Sequence, residues 1–594
     1  MTPRTPYRGF RRKLILALDV GTTYSGISYA VLDPGQVPEI KPVTRFPAHE
    51  HISGASKIPT IIYYDREGQV RAVGAEATKE GIFETAEDEG WVKAEWFKLH
   101  LRPVNATNDT QQQVITQEIP PLPVGRAVTQ VVADFLAYLV YCAEDYIKDT
   151  HANGPDLWAS VCGDMDFVLS HPNGWEGAQQ AQMRRAAVIG GLIPDTQVGQ
   201  SRLSFVTEGE ASLHFSIQNG LPEAVTKKGD GVVVVDAGGG TIDISAYGRT
   251  KNGGRETTFE EIAPPQCHFH GSVFVTIHAG VYLENFLKES AFQDDIEHIQ
   301  RCFDKTTKPR FRNSSEQQFI KFGSTRDNDP SCNIRFGQLK LEGSEVASFF
   351  EPSVRCIVNG VLEQRRQAHR PVTHVVLVGG FAASDWLFAR VLEALRPHGM
   401  LVVRPENHVN KAVSDGAISF YLDHFVNSRV SKLTYGNFCH IPFVETDPEH
   451  RSRMNQVFTS LSGHRRISDV FDIILPKNVQ VSELKEFRKP YFRESERRID
   501  FQKATFVVWG YRGAIEKPRW RDVDAPFFTE ICTIEVDLSA LTLQPMRSER
   551  GMIFFRLDYE IVLLFGLTEF KALIAYRENG VEKRSQAKIL YDNS

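Results

Sequence analysis

Two short stretches of the chain repeat one order of features: apolar strand, aspartate, glycine-containing turn, second apolar strand. In the first, Leu14–Asp19 leads into such a turn and Ile27–Leu32 follows it; in the second, Val232–Asp236 leads into the turn and Ile242–Ser245 follows. A short apolar run bounded by turn residues is typical of a buried strand. The repeat predicts two related lobes, each of which brings an aspartate-ended hairpin to a shared cleft.

Helical and strand patterns alternate between and after these hairpins. Apolar residues recur every three to four positions from Gly125 to Lys148, which predicts an amphipathic helix. A third buried strand, Val375–Val378, precedes Gly379-Gly380, and a helix is predicted from about Ser384 to Leu395. Strands mixed with helices predict an α/β architecture over residues 13–428.

After about residue 428 the pattern becomes that of a β domain. Apolar and polar residues alternate with a period of two from Cys532 to Leu538, which is typical of a strand with one buried face. Phe471–Leu475 and Thr505–Tyr511 predict further strands, and Asn579-Gly580 between two strand-like runs is a strong hairpin signal. The basic, aromatic run Lys485–Arg493 has two interpretations, a nucleic-acid surface or a solvated β-edge, and the edge is favoured.

Composition excludes several classes of protein. With 594 residues the chain is too long for one hydrophobic core, and its net charge of −6 gives no basic field for nucleic acid or anionic membrane. No apolar run approaches the roughly 18 residues of a membrane span, and the first apolar stretch, halted by Asp19, is too short for a signal peptide. The eight cysteines lie 20 or more residues apart without a C-x-x-C pair, which argues against a zinc site or disulfide framework and predicts a cytoplasmic location.

The two glycine-containing turns have a composition suited to binding phosphate. Glycine lets the backbone approach an anion closely, and threonine hydroxyls with successive backbone N–H groups form an anion-binding concavity. An aspartate beside a phosphate requires a cation, and Mg²⁺ held through waters fits that need. Either turn alone also has a purely structural explanation, because hairpins need glycine. The chain contains no Walker-type phosphate loop, H-E-x-x-H or G-x-S-x-G motif.

Three motifs, in this order, resemble the first phosphate, second phosphate and adenosine motifs of the 70-kilodalton heat-shock chaperones. They are Asp19-Val-Gly-Thr-Thr-Tyr-Ser25, Asp236-Ala-Gly-Gly-Gly-Thr-Ile-Asp243 and Val376-Leu-Val-Gly-Gly380. The resemblance spans residues 13–428 and implies an actin-like ATPase fold, an α/β fold of duplicated ribonuclease-H-like lobes, followed by a mostly β domain. More distantly, Phe471–Asn478 resembles that family's substrate-binding β-sandwich. We expect a flexible N-terminal tail (1–12), lobe I (13–228), lobe II (229–428) and a β-sandwich-like domain (429–594).

The resemblance implies ATP and Mg²⁺ as cofactors and assigns residues to them. Asp19 and Asp236 would hold the waters of the metal, while Gly379 and Gly380 would lie against ribose and adenine, with Phe381 offering an aromatic face. The implied phosphate contacts are Gly21, Thr22, Thr23, Tyr24, Gly238, Gly239, Gly240 and Thr241.

The resemblance also implies catalytic roles. Lys98 would orient the attacking water, Asp243 would take its proton, and Thr241 would act beside the phosphate. Glu208 would touch the metal shell, with Glu210 as a close competitor. In the second lobe, Lys305 is a weaker match to a nucleotide-contacting lysine.

Departures from the family leave the function open between three readings. The adenosine motif continues Phe381-Ala-Ala383, without the family's adenine-stacking arginine, and Thr207-Glu-Gly-Glu210 lacks the family's proline. An acidic, leucine-rich linker and a helical lid are also missing, so we expect a divergent, lidless member. The leading hypothesis is an ATP-hydrolysing chaperone whose β domain binds unfolded polypeptides or co-chaperones, with no nucleic-acid or membrane partner. The alternatives are a nucleotide-gated scaffold without ATPase activity and a small-molecule kinase.

Overall fold

A computed structural model shows a chain that divides into two compact units. It describes residues 4–48, 56–102, 119–175, 177–221, 225, 230–250, 258–405, 409–482, 485–566, 569–585 and 588–590. Unit 1 comprises residues 1–175 and 182–426, and unit 2 comprises residues 176–181 and 427–594. The predicted boundary between lobes I and II, at residues 228 and 229, lies outside the described residues.

The strands of unit 1 are β1 (Lys13–Asp19), β2 (Tyr24–Leu32), β3 (Lys41–Pro42), β4 (Ile58–Pro59), β5 (Ile61–Tyr64), β6 (Val70–Val73), β7 (Val92–Glu95), β8 (Met165–His171), β9 (Leu203–Thr207), β10 (Gly231–Ala237), β11 (Ile242–Arg249), β12 (Phe259–Glu261), β13 (Gln266–His268), β14 (Gln318–Lys321), β15 (Ile334–Arg335), β16 (Gln338–Leu341), β17 (Val372–Val378) and β18 (Leu401–Val403). The helices up to residue 423 are α1 (Ile82–Glu89), α2 (Val128–Thr150), α3 (Gly154–Val161), α4 (Gly177–Ile189), α5 (Gln197–Gln200), α6 (Glu208–Gln218), α7 (Ser272–Phe286), α8 (Ile296–Cys302), α9 (Lys308–Arg310), α10 (Gly343–Gln367), α11 (Asp385–Leu395) and α12 (Ala412–Asp423).

Two sheets of unit 1 have the same internal strand order. One has the order β3-β2-β1-β8-β9, and the other contains β12-β11-β10-β17-β18. In each, an antiparallel hairpin, β1–β2 or β10–β11, is extended by two parallel strands through its first strand. Asp19 and Asp236 stand at or near the end of that first strand in both sheets, so the predicted aspartate-ended hairpins are confirmed.

The helices predicted on either side of the second hairpin are present. The amphipathic helix is α2, whose apolar face packs into the core on the β1–β2 side of unit 1. The later helix is α11, which the Ser384 hydroxyl caps by accepting a hydrogen bond from the Leu387 amide. Ser384 is therefore a helix cap, as serine commonly is.

The segment that precedes β1, expected to be a flexible tail, pairs from Arg4 onward with more distant residues of unit 1. From Arg4 to the start of β1 it is described, and the Arg4 guanidinium forms a two-pronged ion pair with Asp423 at 2.8 Å. The Tyr7 amide donates to the carbonyl of Gln36, and Gly35 donates to Tyr7 in return. Long-range pairing of this kind leaves no local sequence pattern, so composition alone did not predict it.

From residue 427 onward, the described residues of unit 2 form strands, short 3-10 turns and one short α-helix. The strands are β19 (Val426–Val430), β20 (Thr434–Pro442), β21 (Val457–Thr459), β22 (Arg465–Leu475), β23 (Gln480–Ser482), β24 (Glu486–Ser495), β25 (Lys503–Tyr511), β26 (Phe528–Asp537), β27 (Pro545–Arg547), β28 (Ile553–Gly566), β29 (Glu569–Glu578), β30 (Val581–Arg584) and β31 (Lys588–Leu590), and the helix is α13 (Pro448–Ser452). β19 begins at Val426, the last residue of unit 1, and continues into unit 2.

Two sheets of unit 2 share one hydrophobic core. Their orders are β21-β22-β20-β25-β26-β31 and β24-β28-β29-β30, and apolar residues of both sheets belong to the same buried cluster. The alternating residues of Cys532–Leu538 lie in β26 and at its end, with the apolar ones buried. Asn579-Gly580 forms the β29–β30 turn with positive φ at both residues. The basic run Lys485–Arg493 lies in or beside β24, an edge strand of its sheet as predicted.

The described segments contain neither a disulfide nor a helix that could span a membrane. None of the eight cysteines, all of them within the described segments, forms a disulfide. Among the helices of those segments, none is both long enough and apolar enough to cross a membrane.

Helices α6 and α12 approach each other at backbone distance, and Gly416 makes this possible. A Cβ atom at Gly416 would lie 1.8 Å from the carbonyl oxygen of Ala211. Glycine therefore stands here because of close packing rather than backbone conformation.

We expect Gly416→Ala to destabilise unit 1 by about 1–3 kcal/mol, because the added methyl group must push two helices apart. Thermal unfolding of the full chain measures the change. The matched control is Gly163→Ala, since a Cβ atom at Gly163 would meet nothing within 4 Å. Equal melting temperatures for the two variants would show that the helices separate without cost.

Candidate functional site

The two glycine-containing turns face each other across unit 1. A Cβ atom at Gly239 would lie 2.3 Å from the Thr23 hydroxyl oxygen, and one at Gly240 would lie 2.3 Å from the Thr22 hydroxyl oxygen. Thr22 is buried, whereas Tyr24 at the end of the first turn is 49% exposed. The structure thus brings together the predicted phosphate-contacting residues of both turns.

Each turn is fixed by its own backbone contacts. The Gly21 amide donates to the Ser25 hydroxyl at 3.2 Å, and a Cβ atom at Gly21 would lie 2.2 Å from the carbonyl oxygen of Tyr24. In the second turn the Gly238 amide donates to the carbonyl of Thr241 at 2.9 Å. The first amides of α7 donate to the carbonyls of Gly238 and Gly239. The second turn is therefore fastened to the start of a helix.

Asp19, at the base of the first turn, is buried and already paired. Its carboxylate accepts from Lys57 Nζ at 2.7 Å and from the Ser170 hydroxyl at 2.9 Å. Burial alone would raise the pKa of Asp19, but the charges of Lys57 and Lys98 outweigh burial and lower this pKa below its ordinary value. Asp19 is an anion held by an internal cation.

Lys98 lies in a short 3-10 turn, Phe97–Leu101, and is 4% exposed. Its Nζ donates to Glu208 Oε1 at 2.5 Å, and the same nitrogen lies 5.6 Å from the ring centroid of Trp175. Burial lowers the pKa of Lys98, but the charges of Glu208 and Asp19 outweigh it and leave the pKa raised. Of the two predicted glutamates, Glu208 is the one that pairs with this lysine.

Asp236 and Asp243 carry the acidic groups of the second hairpin. Asp236 accepts from the Ser212 hydroxyl at 2.8 Å, and burial, followed by the charge of Glu208, raises its pKa to about 7. Asp243 is fully buried and accepts from the backbone amide of Asn173 at 2.5 Å. Burial and then the charge of Glu208 raise the pKa of Asp243 well above its ordinary value.

The site fits an additional cation. Four buried carboxylates, those of Asp19, Glu208, Asp236 and Asp243, face two ammonium groups. Asp243 Oδ2 has no hydrogen-bond partner among the residues that the structure describes. In the described segments no three His, Cys, Asp or Glu side chains converge closely enough to ligate a metal directly. A hydrated Mg²⁺, bound through its waters, suits such a donor set.

The residues of the predicted adenosine motif differ in their surroundings: Gly379 and Gly380 form a turn, whereas Phe381 lies in the core. Gly379 has φ of +94°, and a Cβ atom there would lie 2.3 Å from Asp236 Oδ1, so glycine is required. Gly380 is exposed and borders open space. The Phe381 ring instead packs against Phe350 at 6.1 Å between centroids and is 5% exposed. The predicted aromatic face for adenine is therefore buried in the core, because that ring belongs to an aromatic cluster.

Sequence reasoning missed several residues of the site. Lys308, rather than the exposed Lys305, points inward: its Nζ donates to the Ser272 carbonyl at 3.2 Å and also pairs with Asp304. The four-residue spacing of Asp304 and Lys308 was an available signal. Asn173 and Lys57 carry no motif, and only the fold brings them to the cleft.

Unit 2 contains a second candidate site, a groove of about 810 Å³. The Phe492 ring in its wall is contacted by the guanidinium groups of Arg466, at 4.6 Å, and Arg556, at 4.0 Å. Aromatic rings offer large apolar surfaces that suit the side chains of an extended peptide. The aromatic residues that line the groove are Phe438, Phe458, Tyr491, Phe492, Phe506, Trp509 and Tyr559.

The buried side chain of Lys411 is expected to make the stability of the fold depend on pH. It is 2% exposed, and burial, opposed by Asp415 and reinforced by Lys57, lowers its pKa to about 8. Because the folded state gives up this proton at a lower pH than the unfolded chain, the charged side chain opposes folding below pH 8. This cost disappears as the pH rises from about 8 towards the ordinary value of 10.5.

We expect Lys411→Met to gain stability relative to the wild type at pH 7, and to lose about 2 kcal/mol of that relative gain at pH 9.5. The variant loses the hydrogen bond to the Val43 carbonyl at both pH values, and the change in strength of that bond on deprotonation is already part of the folded-state pKa. Thermal melts at the two pH values measure the difference, with exposed Lys79→Met as the control. A pH-independent difference would contradict the assignment.

Comparison with known proteins gives a distant similarity. No protein-family model matches the chain. The chain is 22% identical over 645 residues to heat shock 70 kDa protein 12B of Homo sapiens, and the alignment covers 94% of this chain and 88% of the human protein. The mixed α/β architecture with a β domain is compatible with an actin-like ATPase fold. The similarity and the architecture together support a heat-shock-70-like family.

Proposed function

We propose that the chain is a heat-shock-70-like protein that binds ATP with Mg²⁺ between its two facing turns and hydrolyses it. The observation that carries this proposal is the approach of Thr22 and Thr23 to Gly240 and Gly239, directly beside four buried carboxylates. The similarity to heat shock 70 kDa protein 12B supports it. Facing turns of this kind hold an anion from both sides, because each offers backbone amides and threonine hydroxyls.

The proposed domain organisation follows the repeated strand order. The sheets around β1–β2 and β10–β11 would be duplicated ribonuclease-H-like lobes, residues 13–228 and 229–428, with a sandwich-like domain from residue 429. In both sheets an antiparallel hairpin is followed by two parallel strands in the same order, and this shared strand order supports duplication of one lobe. A cytoplasmic location is part of the proposal, since eight unpaired cysteines suit a reducing compartment.

In this proposal the residues of unit 1 bind phosphate and activate water. Gly21–Tyr24 and Gly238–Thr241 would contact the phosphates, and Gly379 and Gly380 would lie beside the nucleoside. When bound, Mg²⁺ would neutralise charge on the phosphates, with Asp236 and Asp19 as candidates to hold its waters. Lys98, fixed by Glu208, would orient the attacking water.

Asp243 is placed to accept the proton of that water. Its Oδ2 is buried and has no hydrogen-bond partner within the described part of the chain, and burial together with Glu208 raises the pKa of the carboxyl. A raised pKa makes a carboxylate a stronger base. Charge and positioning therefore supply the proposed chemistry, as is usual for phosphoryl transfer.

The aromatic groove of unit 2 is the proposed site for an unfolded polypeptide. Its rings would bind apolar side chains of an extended segment, while β24 along its edge carries cations that keep it soluble. Co-chaperones are further proposed partners, by family resemblance.

One observation favours the alternative of a nucleotide-gated scaffold: the adenosine motif departs from that of the family. Ala383 stands where the family has an arginine, and Arg404 instead donates to the carbonyls of Ala382 and Ala383 at 3.0 and 3.3 Å. Calorimetry and phosphate release on one preparation separate the two functions, because a scaffold binds ATP without releasing phosphate. A kinase would consume ATP only with a sugar or polyol.

We expect Asp243→Asn to slow ATP hydrolysis by about 10²-fold while ATP binding is kept, because an amide cannot accept the proton of water. Phosphate release measures turnover, and calorimetry measures binding. The control is Asp195→Asn, whose carboxylate is 60% exposed in the same unit. Hydrolysis at the wild-type rate by Asp243→Asn would remove this residue from the mechanism.

We expect Phe492→Ala to weaken binding of a reduced, unfolded reporter protein at least tenfold, because the groove loses a ring of its wall. Fluorescence anisotropy measures this affinity. Phe527→Ala is the matched control, since Phe527 is 47% exposed and lies outside the groove. Equal affinities for both variants would place polypeptide binding elsewhere.

A further inference from the structure

Lys57 holds the aspartate of the first turn through a direct ion pair. Its Nζ lies 2.7 Å from Asp19 Oδ2, and the two side chains are only 14% and 5% exposed. Neither the repeated hairpin nor any motif includes this lysine. Its position results from strand pairing, because β4 pairs with Tyr24 and Ser25 at the start of β2.

The lysine is fixed along its whole length. The Thr60 amide donates to the carbonyl of Thr23 at 2.8 Å, which ties the segment after Lys57 to the first turn. The stem of Lys57 lies against Gly26, where a Cβ atom would come within 3.3 Å of its Cγ and Cε. Because its aliphatic chain and its ammonium group are both held in place, Lys57 is a fixed part of the first turn rather than a mobile surface side chain.

Among the described residues, no lysine or arginine forms an ion pair with Asp236, the aspartate of the second turn. Asp236 occupies the same place in its hairpin as Asp19, yet its carboxylate is met by the neutral hydroxyl of Ser212 at 2.8 Å. The buried Lys98 pairs with Glu208 at 2.5 Å, and the buried Lys411 donates to the Val43 carbonyl at 2.8 Å. The two aspartates that the repeat makes equivalent therefore differ in charge compensation.

We propose that Lys57 is the built-in counter-ion of the first turn, so that Asp19 needs no metal and the Mg²⁺ requirement of phosphate binding falls on the second turn. The inference rests on the proposed function, since it concerns the same site. An ammonium group on Asp19 removes the repulsion that a bare carboxylate would exert on phosphate. It also places a hydrogen-bond donor beside the amides and hydroxyls of Gly21–Thr23.

The test compares ATP affinity with Mg²⁺ and with EDTA for the wild type, Lys57→Met and Lys57→Arg. We expect Lys57→Met to increase the ratio of the two dissociation constants at least tenfold over the wild type, and Lys57→Arg to stay within about threefold of it. Isothermal titration of the full chain measures each affinity. Lys79→Met, an exposed lysine of the same unit, controls for loss of charge alone.

A second readout does not need nucleotide. Mg²⁺ alone should raise the melting temperature of Lys57→Met more than that of the wild type, because removal of the lysine frees Asp19 for the metal. If the wild type binds no ATP but the Mg²⁺ shift differs as expected, the proposed function fails and the counter-ion role stands. Where Lys57→Met does not fold, Lys57→Gln takes its place, because glutamine keeps a donor without charge.

Two results would overturn the inference. One is an unchanged ratio of dissociation constants in Lys57→Met, or in Lys57→Gln, within twofold of the wild type. The other is an equal Mg²⁺ shift of the melting temperature in the wild type and the uncharged variant. Either would show that Asp19 depends on the metal in the same way with or without its lysine.

Discussion

Four buried carboxyl groups share the cleft of unit 1 with the ammonium groups of Lys57 and Lys98, and much of the surrounding structure is arranged around them. An uncompensated buried ion costs several kcal/mol, so each carboxylate needs a specific partner. The partners come from separate parts of the chain, which ties the site to the tertiary fold rather than to any one hairpin. The pairs are Asp19 with Lys57 and Ser170, Glu208 with Lys98, Asp236 with Ser212, and Asp243 with Asn173.

Helix α6 supplies two of these groups from a single face. Glu208 is its first residue, where the positive end of the helix dipole favours an anion, and Ser212 follows one turn later on the same side. Thr207 caps the helix by accepting from the Glu210 amide at 3.2 Å. Gly416 of α12 packs directly on the backbone of α6, so the position of Glu208 depends on this helix contact. The same contact contains hydrogen bonds from the Gln218 side chain of α6 to Ser419 and Asp423 of α12.

Local pattern predicted the parts of the molecule that local forces determine. The two aspartate-ended hairpins, helix α2 and the Asn579-Gly580 turn follow from apolar periodicity and from residues that tolerate positive φ. Phe381 was misplaced because a ring after a glycine turn can face a ligand or the core, and only the neighbouring Phe350 decides between them. The anchored N-terminal segment depends on an arginine and an aspartate separated by 419 positions, which no local window contains.

The cations of the site lie outside the motifs for a physical reason. A turn that approaches phosphate must be made of glycine and small hydroxyl residues, so it has no room for a long side chain of its own. Lys57, Lys98 and Lys308 therefore reach the cleft from a strand segment, a 3-10 turn and a helix, and each is held by an acidic residue. Backbone geometry requires glycine at fixed positions of such a turn, whereas a lysine can enter from any segment of suitable reach. Motifs consequently identify where phosphate would lie, and the positions of the charges that would act on it have to be taken from the folded structure.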